Sequence, residues 1–445
     1  MKRDSFSSQI GALLAMVGSA VGLGGLWKFP YVAGVNGGGA FILIYIVFLL
    51  ILCFPLMLSE LIIGRRSKKN PVGAFRKLKP DTHWYATGFI AVVTTMFIIS
   101  FYSVVGGWTI EYLVVSVFSG IRSIDENHFN DFVSSPYRPI LMHLAFFGMT
   151  AGIIWTGIKD GIEKYSKILM PLLFLMILVL AVYSVNLSGA REGVEFMFKP
   201  DFSKLTGKVV LEALGMGLFT LSLGMGIILT YSSYIGEKEN LVKLSLITIV
   251  MSLVFSCLAG LTILPAVFSF GLNPGQGPGL IFVTLPKVFS QMPFGSLLAP
   301  VFFAVALIAS LTSSISLLEV VIAYLSEELK ISRRKSIIIS TVLFTVTGSL
   351  CSLSLGYLSD FKILGRNIFD LFDQISSIIL MPVCAFLISV FVGWKMKKED
   401  IYDELTNKHT VKVSFFNLYV FLTKYFVPLA ILLIFLNSLF EAIIK

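Results

Sequence analysis

The chain has 445 residues, 56% of them hydrophobic and 14% charged, with a mean hydropathy of +0.87. Soluble globular proteins lie nearer half apolar and about a quarter charged, so this composition excludes a secreted, nuclear or nucleic-acid-binding protein. It leaves a polytopic helical membrane protein, and the formal net charge of +9 has to be read against that topology.

A bilayer crossing takes about 20 apolar residues. Eleven such segments follow one another at 9–34, 38–64, 84–118, 139–157, 165–187, 208–234, 241–270, 295–326, 336–358, 368–394 and 414–441. Lipid offers no partner to an unpaired backbone group, so each segment is read as a helix. Residues 9–34 follow Lys2 and Arg3, yet they are too long for a signal peptide, contain Pro30 and lack a small-residue cleavage site before a soluble chain. They read as the first span.

Two spans carry small residues at mid-depth. The first holds Gly18-Ser-Ala-Val-Gly-Leu-Gly-Gly25, the sixth Phe219-Thr-Leu-Ser-Leu-Gly-Met-Gly226. Glycine in a helix interior costs about 1 kcal/mol against alanine. Close helix packing would explain such clusters, but they open spans one and six, which is the pattern of two five-helix halves that each begin with a discontinuous helix. An unwound stretch there exposes N–H and C=O groups to a bound solute. Span eight adds Thr312-Ser313-Ser314 deep in an apolar run. Hydroxyls often bond back to their own helix, but three in succession also suit a hard cation such as Na⁺. Charges within a span are costly enough to imply partners; Lys28 lies near the outer end of span one, and Asp370 and Asp373 near that of span ten.

The long connections 119–138, 188–207 and 271–294 fall on the outer side, and Pro274, Gly275, Gly277, Pro278 and Gly279 mark the last as a shaped loop. With a cytoplasmic N-terminus, the inner loops hold 23 of the 35 Lys and Arg and the outer loops ten, with Lys28 and Lys424 inside spans. This bias fixes the orientation, and the odd number of spans puts the C-terminus outside. Cys53, Cys257, Cys351 and Cys384 sit in apolar runs and read as small buried hydrophobes. His83, His128, His143 and His409 form no ligand-spaced cluster, so a metal-dependent membrane enzyme is unsupported. No paired nucleophile and base is found in the spans either, and the chain is not read as an enzyme.

The run Gly18-Ser-Ala-Val-Gly-Leu-Gly-Gly-Leu-Trp-Lys-Phe-Pro30 with Asn36-Gly-Gly-Gly-Ala-Phe41 resembles the opening of the neurotransmitter:sodium symporter family. The sixth-span Phe-Thr-Leu-Ser-Leu-Gly-Met-Gly, the eighth-span Leu-Thr-Ser-Ser and Phe369-Asp-Leu-Phe-Asp373 resemble it as well, over essentially the whole chain. The resemblance implies an all-α membrane protein of the leucine-transporter (LeuT) type. It would be a 5+5 inverted repeat with eleven transmembrane helices, of which helices 1 and 6 are discontinuous. Residues 1–190 would form the first repeat, 191–395 the second, and 396–445 a cytoplasmic loop plus the eleventh helix. The implied activity is sodium-coupled amino-acid import across the cell (plasma) inner membrane by alternating access, with spans one, two, six and seven rocking against the rest. Its partners would be a small-molecule amino acid and the lipid bilayer; the sequence does not reveal an oligomeric state.

Carried onto this sequence, the resemblance implies a second sodium site (Na2) made of the carbonyls of Gly18, Val21 and Ala309 and the hydroxyls of Thr312 and Ser313. The substrate carboxylate would meet N–H groups at Leu23 and Gly24 and the Tyr102 hydroxyl; its amine would meet Ala20, Phe219, Thr220 and Ser222. Its side chain would touch Gly22, Ile98, Phe219, Met225, Ser313 and Leu317, a mostly apolar set that favours a neutral or hydrophobic amino acid, with extra room beside Gly25 and Ser19. The outer gate would pair Lys28 with Asp373, beside Phe219 and Tyr102; the inner gate would pair Arg3 with Glu327, near Phe6, Ser233 and Tyr234. The family more often has Arg at the position of Lys28, and Lys lacks the bidentate fork.

The first sodium site (Na1) departs from the family pattern. Ala20, Gly25, Thr220 and Ser252 align with it, but Gly25 stands where an Asn is usual and Ser252 where an Asn or Asp is usual, with Met251 the alternative alignment. The chloride-site positions would be Tyr45, Met216, Thr220, Ser252 and Ser256, with Met216 replacing the usual Gln. Loss of a cation site together with its compensating anion is electrostatically coherent, since either charge alone would sit uncompensated in a low-dielectric interior. The expectation is therefore one Na⁺ and no chloride. Alternatives are a first Na⁺ held by water or rearranged carbonyls, and proton coupling, for which Glu60, Glu111 and Glu319 are the intramembrane carboxylates; in the family such residues more often brace helices. A reading from another class, an amino-acid-binding sensor, calls for a soluble extension that these residues do not encode, and a channel calls for charge rings instead of gates.

Overall fold

The structure, a computed structural model, describes residues 5–272 and 279–444. Arg3, Pro274, Gly275, Gly277 and Pro278 lie outside the described residues. Among those described, the chain forms helices and no strand. It opens with α1 (Gln9–Ala20) and α2 (Gly24–Val35), an apolar pair meeting at a 48° bend. Next come α3 (Gly39–Ser67), α4 (Tyr85–Phe118), α5 (Arg138–Trp155) and α6 (Ile158–Val185). The sixth apolar segment is split into α7 (Gly207–Thr220) and α8 (Ile227–Ser232). The chain continues with α9 (Leu241–Ser269), α10 (Gly295–Glu327), α11 (Arg333–Leu353), α12 (Ile368–Lys395) and α13 (Phe416–Phe440). Nine of these helices are continuous and long enough to cross a bilayer, ten if the bent pair is counted as one crossing. The protein is thus a multi-pass membrane protein. The ninth segment ends earlier than its hydropathy indicates, at Leu353, because residues 354–360 form turns.

Helix starts follow local chemistry. Ser8 accepts from the Gly11 N–H, Thr206 from Val209 and Asn240 from Lys243, so each side chain satisfies an orphan donor of the helix it opens. The interruptions have equally local causes. After Ala20 the chain leaves helical geometry at Val21, with φ −100° and ψ 75°. Between α7 and α8, Ser222, Gly224 and Gly226 take φ values of +55°, +75° and +73°. Three left-handed residues in so short a stretch are incompatible with a right-handed helix, and glycine at two of them avoids the Cβ penalty.

Two blocks of helices result. α4, α5, α10 and α11 pack on one another, and the broken pairs α1/α2 and α7/α8 pack with α3 and α9. The three intramembrane carboxylates each tie elements together. Glu60 of α3 accepts from the Gly224 N–H at 2.8 Å. Glu111 of α4 binds Arg138 and lies 3.6 Å from His128. Glu319 of α10 accepts from the Tyr234 hydroxyl at 2.8 Å and from Arg333 through both oxygens, at 2.8 and 2.7 Å. Cys53, Cys351 and Cys384 are buried, while Cys257 is only half-buried.

A Cβ at Gly224 would meet the Met381 carbonyl and force a left-handed alanine. Gly224→Ala is expected to destabilise the protein by about 1–2 kcal/mol from the backbone conformation alone. Thermal unfolding in detergent checks this, and the expected outcome is a lowered midpoint.

Candidate functional site

The two interruptions face each other at mid-depth. Two successive carbonyls at the end of α1 have lost their helical partners, and hydroxyls from three other segments supply replacements. The Ser19 carbonyl accepts from Ser222 Oγ at 3.0 Å and from Ser313 Oγ at 3.3 Å. The Ala20 carbonyl accepts from Ser252 Oγ of α9 at 3.2 Å. Ser316 adds a bond from its hydroxyl to Ser19 Oγ at 3.2 Å. Beyond the break the Leu23 N–H donates to the Tyr102 hydroxyl oxygen at 3.3 Å. Thr95, about two turns before Tyr102 on α4, donates to the Met225 carbonyl at 2.6 Å and so fixes the unwound stretch of the sixth segment.

These groups enclose a cavity lined by Ser19, Gly22, Gly24, Ile98, Tyr102, Phe219, Thr220, Ser222, Met225, Ile227, Ser313 and Leu317. Its open space is about 30 Å³. No charged side chain belongs to this lining. Compensation for a charged solute must come from dipoles: the carbonyl end of α1 favours a cation, and the amide end of α2 favours an anion. Ile98, Met225, Ile227 and Leu317 add apolar surface to the lining. The arrangement suits a small molecule with a charged head and an apolar body.

Of the residues anticipated for substrate, ten of twelve line this cavity, Ala20 and Leu23 being the others. Leu23 instead lines a neighbouring vestibule of about 240 Å³ with Trp27, Lys28, Tyr31, Phe101, Val105, Phe369, Asp370 and Asp373. Gly24, Tyr102 and Phe219 border both spaces, so the Phe219 ring and the Tyr102 ring form the partition between them. Lys28 and Asp373 share the vestibule without pairing: the Lys28 ammonium lies 4.3 Å from the Phe219 ring centre, and Asp373 accepts from Ser377 at 2.9 Å. Glu327, at the end of α10, accepts from the Asn70 backbone and side-chain N–H groups at 2.9 and 3.0 Å. Phe6 donates its N–H to the Tyr234 carbonyl and packs edge-on against Tyr231 and Tyr234.

The five positions anticipated for the second cation cluster beside the break. A Cβ placed on Gly18 would lie 3.4 Å from Thr312 Cβ, which puts the end of α1 against the hydroxyl-bearing turn of α10. Val21 and Ala309 are fully buried, and Thr312 Oγ1 bonds to the Ile308 and Ala309 carbonyls of its own helix, at 3.1 and 3.2 Å. At the positions aligned with the first cation, Thr220 exchanges a hydrogen bond with Tyr45 at 2.8 Å and Ser252 holds Ala20. Gly25 lies against Phe255 and Ser256, and the Ser256 hydroxyl is buried without a hydrogen-bond partner among the described residues.

Sequence reasoning passed over Ile227, Thr95 and the hub role of the Ser19 carbonyl. Thr95 had a readable signal, since it precedes Ile98 and Tyr102 at the three- and seven-residue spacing of one helix face. Ser19 had none, because its contribution is a backbone carbonyl whose direction depends on the break.

Comparison with known proteins adds independent findings. The model of the sodium:neurotransmitter symporter family matches residues 3–130 and 138–443. The chain is 40% identical over 440 residues to the uncharacterised sodium-dependent transporter YhdH of Bacillus subtilis, covering 98% of each chain. It is 36% identical over 455 residues to an uncharacterised sodium-dependent transporter of Haemophilus influenzae, covering 99% of each. The crystal structure of MhsT in complex with L-phenylalanine superposes with a TM-score of 0.90 at 38% identity, over 98% of this chain and all (100%) of that one.

The partition can be tested directly. A cysteine introduced at Ile98, which is 3% exposed, is expected to resist a membrane-impermeant thiol reagent while Phe219 is present. It is expected to become reactive from the vestibule side in the Phe219→Ala background, where the two spaces join.

Proposed function

Because the chain belongs to the sodium:neurotransmitter symporter family, and is accordingly a transporter and not an enzyme, we propose that it imports a neutral or hydrophobic amino acid together with Na⁺ by alternating access. The observation that carries this reading is the cavity at the facing breaks: among the described residues its lining holds no charged side chain and combines hydroxyls and glycine backbone with apolar side chains. A zwitterion fits such a site if its carboxylate meets the Gly24 N–H and inserts between the Leu23 N–H and the Tyr102 hydroxyl, which bond to each other in its absence, while its ammonium meets carbonyls. The L-phenylalanine bound to MhsT, a protein of the same fold at 38% identity, supports an apolar substrate side chain set among Ile98, Met225, Ile227 and Leu317.

Na⁺ is assigned to the second site, formed by the carbonyls of Gly18, Val21 and Ala309 with the hydroxyls of Thr312 and Ser313. The first site is read as lost and chloride as not required. Gly25 offers no side-chain oxygen where the family has an Asn, and Ser252 offers a hydroxyl where the family has an amide or carboxylate oxygen. The fold reading is extended to eleven crossings, counting α7 with α8, arranged as two inverted five-helix repeats at 1–190 and 191–395 followed by the segment 396–445. The N-terminus is placed in the cytoplasm and the C-terminus outside, in the cell (plasma) inner membrane. Transport would proceed by movement of spans one, two, six and seven (α1/α2, α3, α7/α8 and α9) against the rest. Lys28 and Asp373 would close together as the vestibule shuts, and Glu327 and Tyr234 would serve at the inner side.

Two measurements test this. In proteoliposomes an inward Na⁺ gradient should drive uptake of L-phenylalanine or another hydrophobic amino acid with a Na⁺ Hill coefficient of about one, unchanged when chloride is replaced by gluconate. A coefficient of about two, uptake driven by a pH gradient without Na⁺, or binding with no transport would each refute it. Tyr102→Phe should raise the substrate KM by about tenfold or more, as expected for a hydrogen bond to a charged group, with little change in sodium dependence.

A further inference from the structure

The helix α9 carries a row of hydroxyls, and most of them turn back on their own backbone. Ser245 bonds to the Leu241 carbonyl, Thr248 to Leu244, Thr262 to Leu258 and Ser269 to Pro265. That is the ordinary use of Ser and Thr in a membrane helix. Ser252 departs from it. Its hydroxyl leaves α9 and donates to the Ala20 carbonyl at 3.2 Å, at the last residue of α1. Ser252 is 1% exposed and takes no part in the lining of the central cavity, so any effect on a bound solute must pass through the backbone it holds.

The position of that bond gives it leverage. The Ala20 carbonyl marks the end of helical geometry, and Val21 follows at φ −100°. Leu23 and Gly24, whose N–H groups begin the next helix, come three and four residues later. The neighbouring Ser19 carbonyl is held by two hydroxyls, from Ser222 and Ser313, both of which border the cavity. A buried carbonyl deprived of its donor costs more than the bond itself was worth, so the backbone turns to find another partner. For Ala20 the turn would carry the N–H groups with it.

We propose that Ser252 is a positioning residue: its neutral hydroxyl, reaching across from α9, fixes the Ala20 carbonyl and thereby aims the Leu23 and Gly24 N–H groups at the substrate. The proposal rests on the symporter reading for its substrate, but its structural half does not.

Three forms of the full-length protein decide it: wild type, Ser252→Ala and Ser252→Thr, each purified and reconstituted. Ser252→Ala is expected to weaken L-phenylalanine affinity at saturating Na⁺ by about fivefold, the size of one net buried hydrogen bond. The maximal rate should change less than the affinity, and the Na⁺ Hill coefficient should stay at its wild-type value. Ser252→Thr should restore the affinity. Hydrogen exchange of the peptide spanning residues 19–26, measured without any substrate, should quicken in Ser252→Ala and return to the wild-type rate in Ser252→Thr. Wild-type exchange in that peptide for Ser252→Ala would overturn the proposal, as would an affinity loss that Thr does not restore. So would a Hill coefficient that rises in Ser252→Ala. If the wild type neither binds nor transports amino acids with Na⁺, the symporter reading fails, and the exchange measurement still decides the role of Ser252. Should Ser252→Ala fail to fold, Ser252→Cys, a weaker donor of similar size, takes its place, with a smaller shift in exchange and affinity expected in the same direction.

Discussion

A helix that stops in the middle of a bilayer leaves carbonyls and amides with no water to turn to, and each buried group left unpaired costs several kcal/mol. Two such breaks could consume the whole net stability of a domain, about 5–15 kcal/mol. The structure meets this constraint with neutral hydroxyls. Ser222, Ser313 and Ser252 converge on the carbonyls of Ser19 and Ala20 from three different segments, and Thr95 does the same for Met225. The polar side of the cavity at the breaks follows from that solution, because the groups that line it are those gathered to satisfy a broken backbone.

The carboxylates have a different task. Glu60 receives the Gly224 N–H and so pins the second break to α3. Glu319 joins α10 to Tyr234 and Arg333, and Glu111 joins α4 to Arg138 and His128. None of the three lines the central cavity. Keeping full charges out of the cavity has a physical consequence: its electrostatics come from oriented backbone dipoles, which need no counter-ion when the site is empty and cost little reorganisation when it fills. A carboxylate in the cavity would have to be desolvated with each cycle of opening and closing.

Much of this was legible in the sequence, for reasons that can be stated residue by residue. Continuous apolar runs located the helices, and the glycines at 22, 24 and 25 and at 224 and 226 located the breaks, because backbone conformation is the one property a short sequence reports almost directly. The side chains flanking the breaks could then be placed, and Gly22, Ile98, Tyr102, Phe219, Met225, Ser313 and Leu317 meet in one cavity. What the sequence did not disclose were relations that depend on the angle between helices. That Lys28 lies over Phe219 while Asp373 bonds to Ser377 reflects the separation of α2 and α12 in this arrangement, which no spacing encodes. The Ser19 carbonyl became a hub only because α1 ends one residue later. The end of the ninth segment at Leu353 was hidden because residues 354–358 are as hydrophobic as a helix while forming turns.

The same reasoning bears on how the two spaces above and within the site communicate. Phe219 borders both the cavity and the vestibule, and its ring is covered by the Lys28 ammonium. A cation over an aromatic face is worth about 0.5–2 kcal/mol depending on desolvation, less than a buried ion pair costs to break. Lys28 can therefore leave Phe219 for Asp373 at modest cost, and a ring released from its cation is free to swing. Lysine suits this better than arginine would, since a point charge gives up one partner for another without losing a bidentate geometry. Lys28 on the Phe219 ring and Asp373 on Ser377 are in this way two loosely held charges of one vestibule, and the ring that carries the first is also a wall of the cavity beneath it.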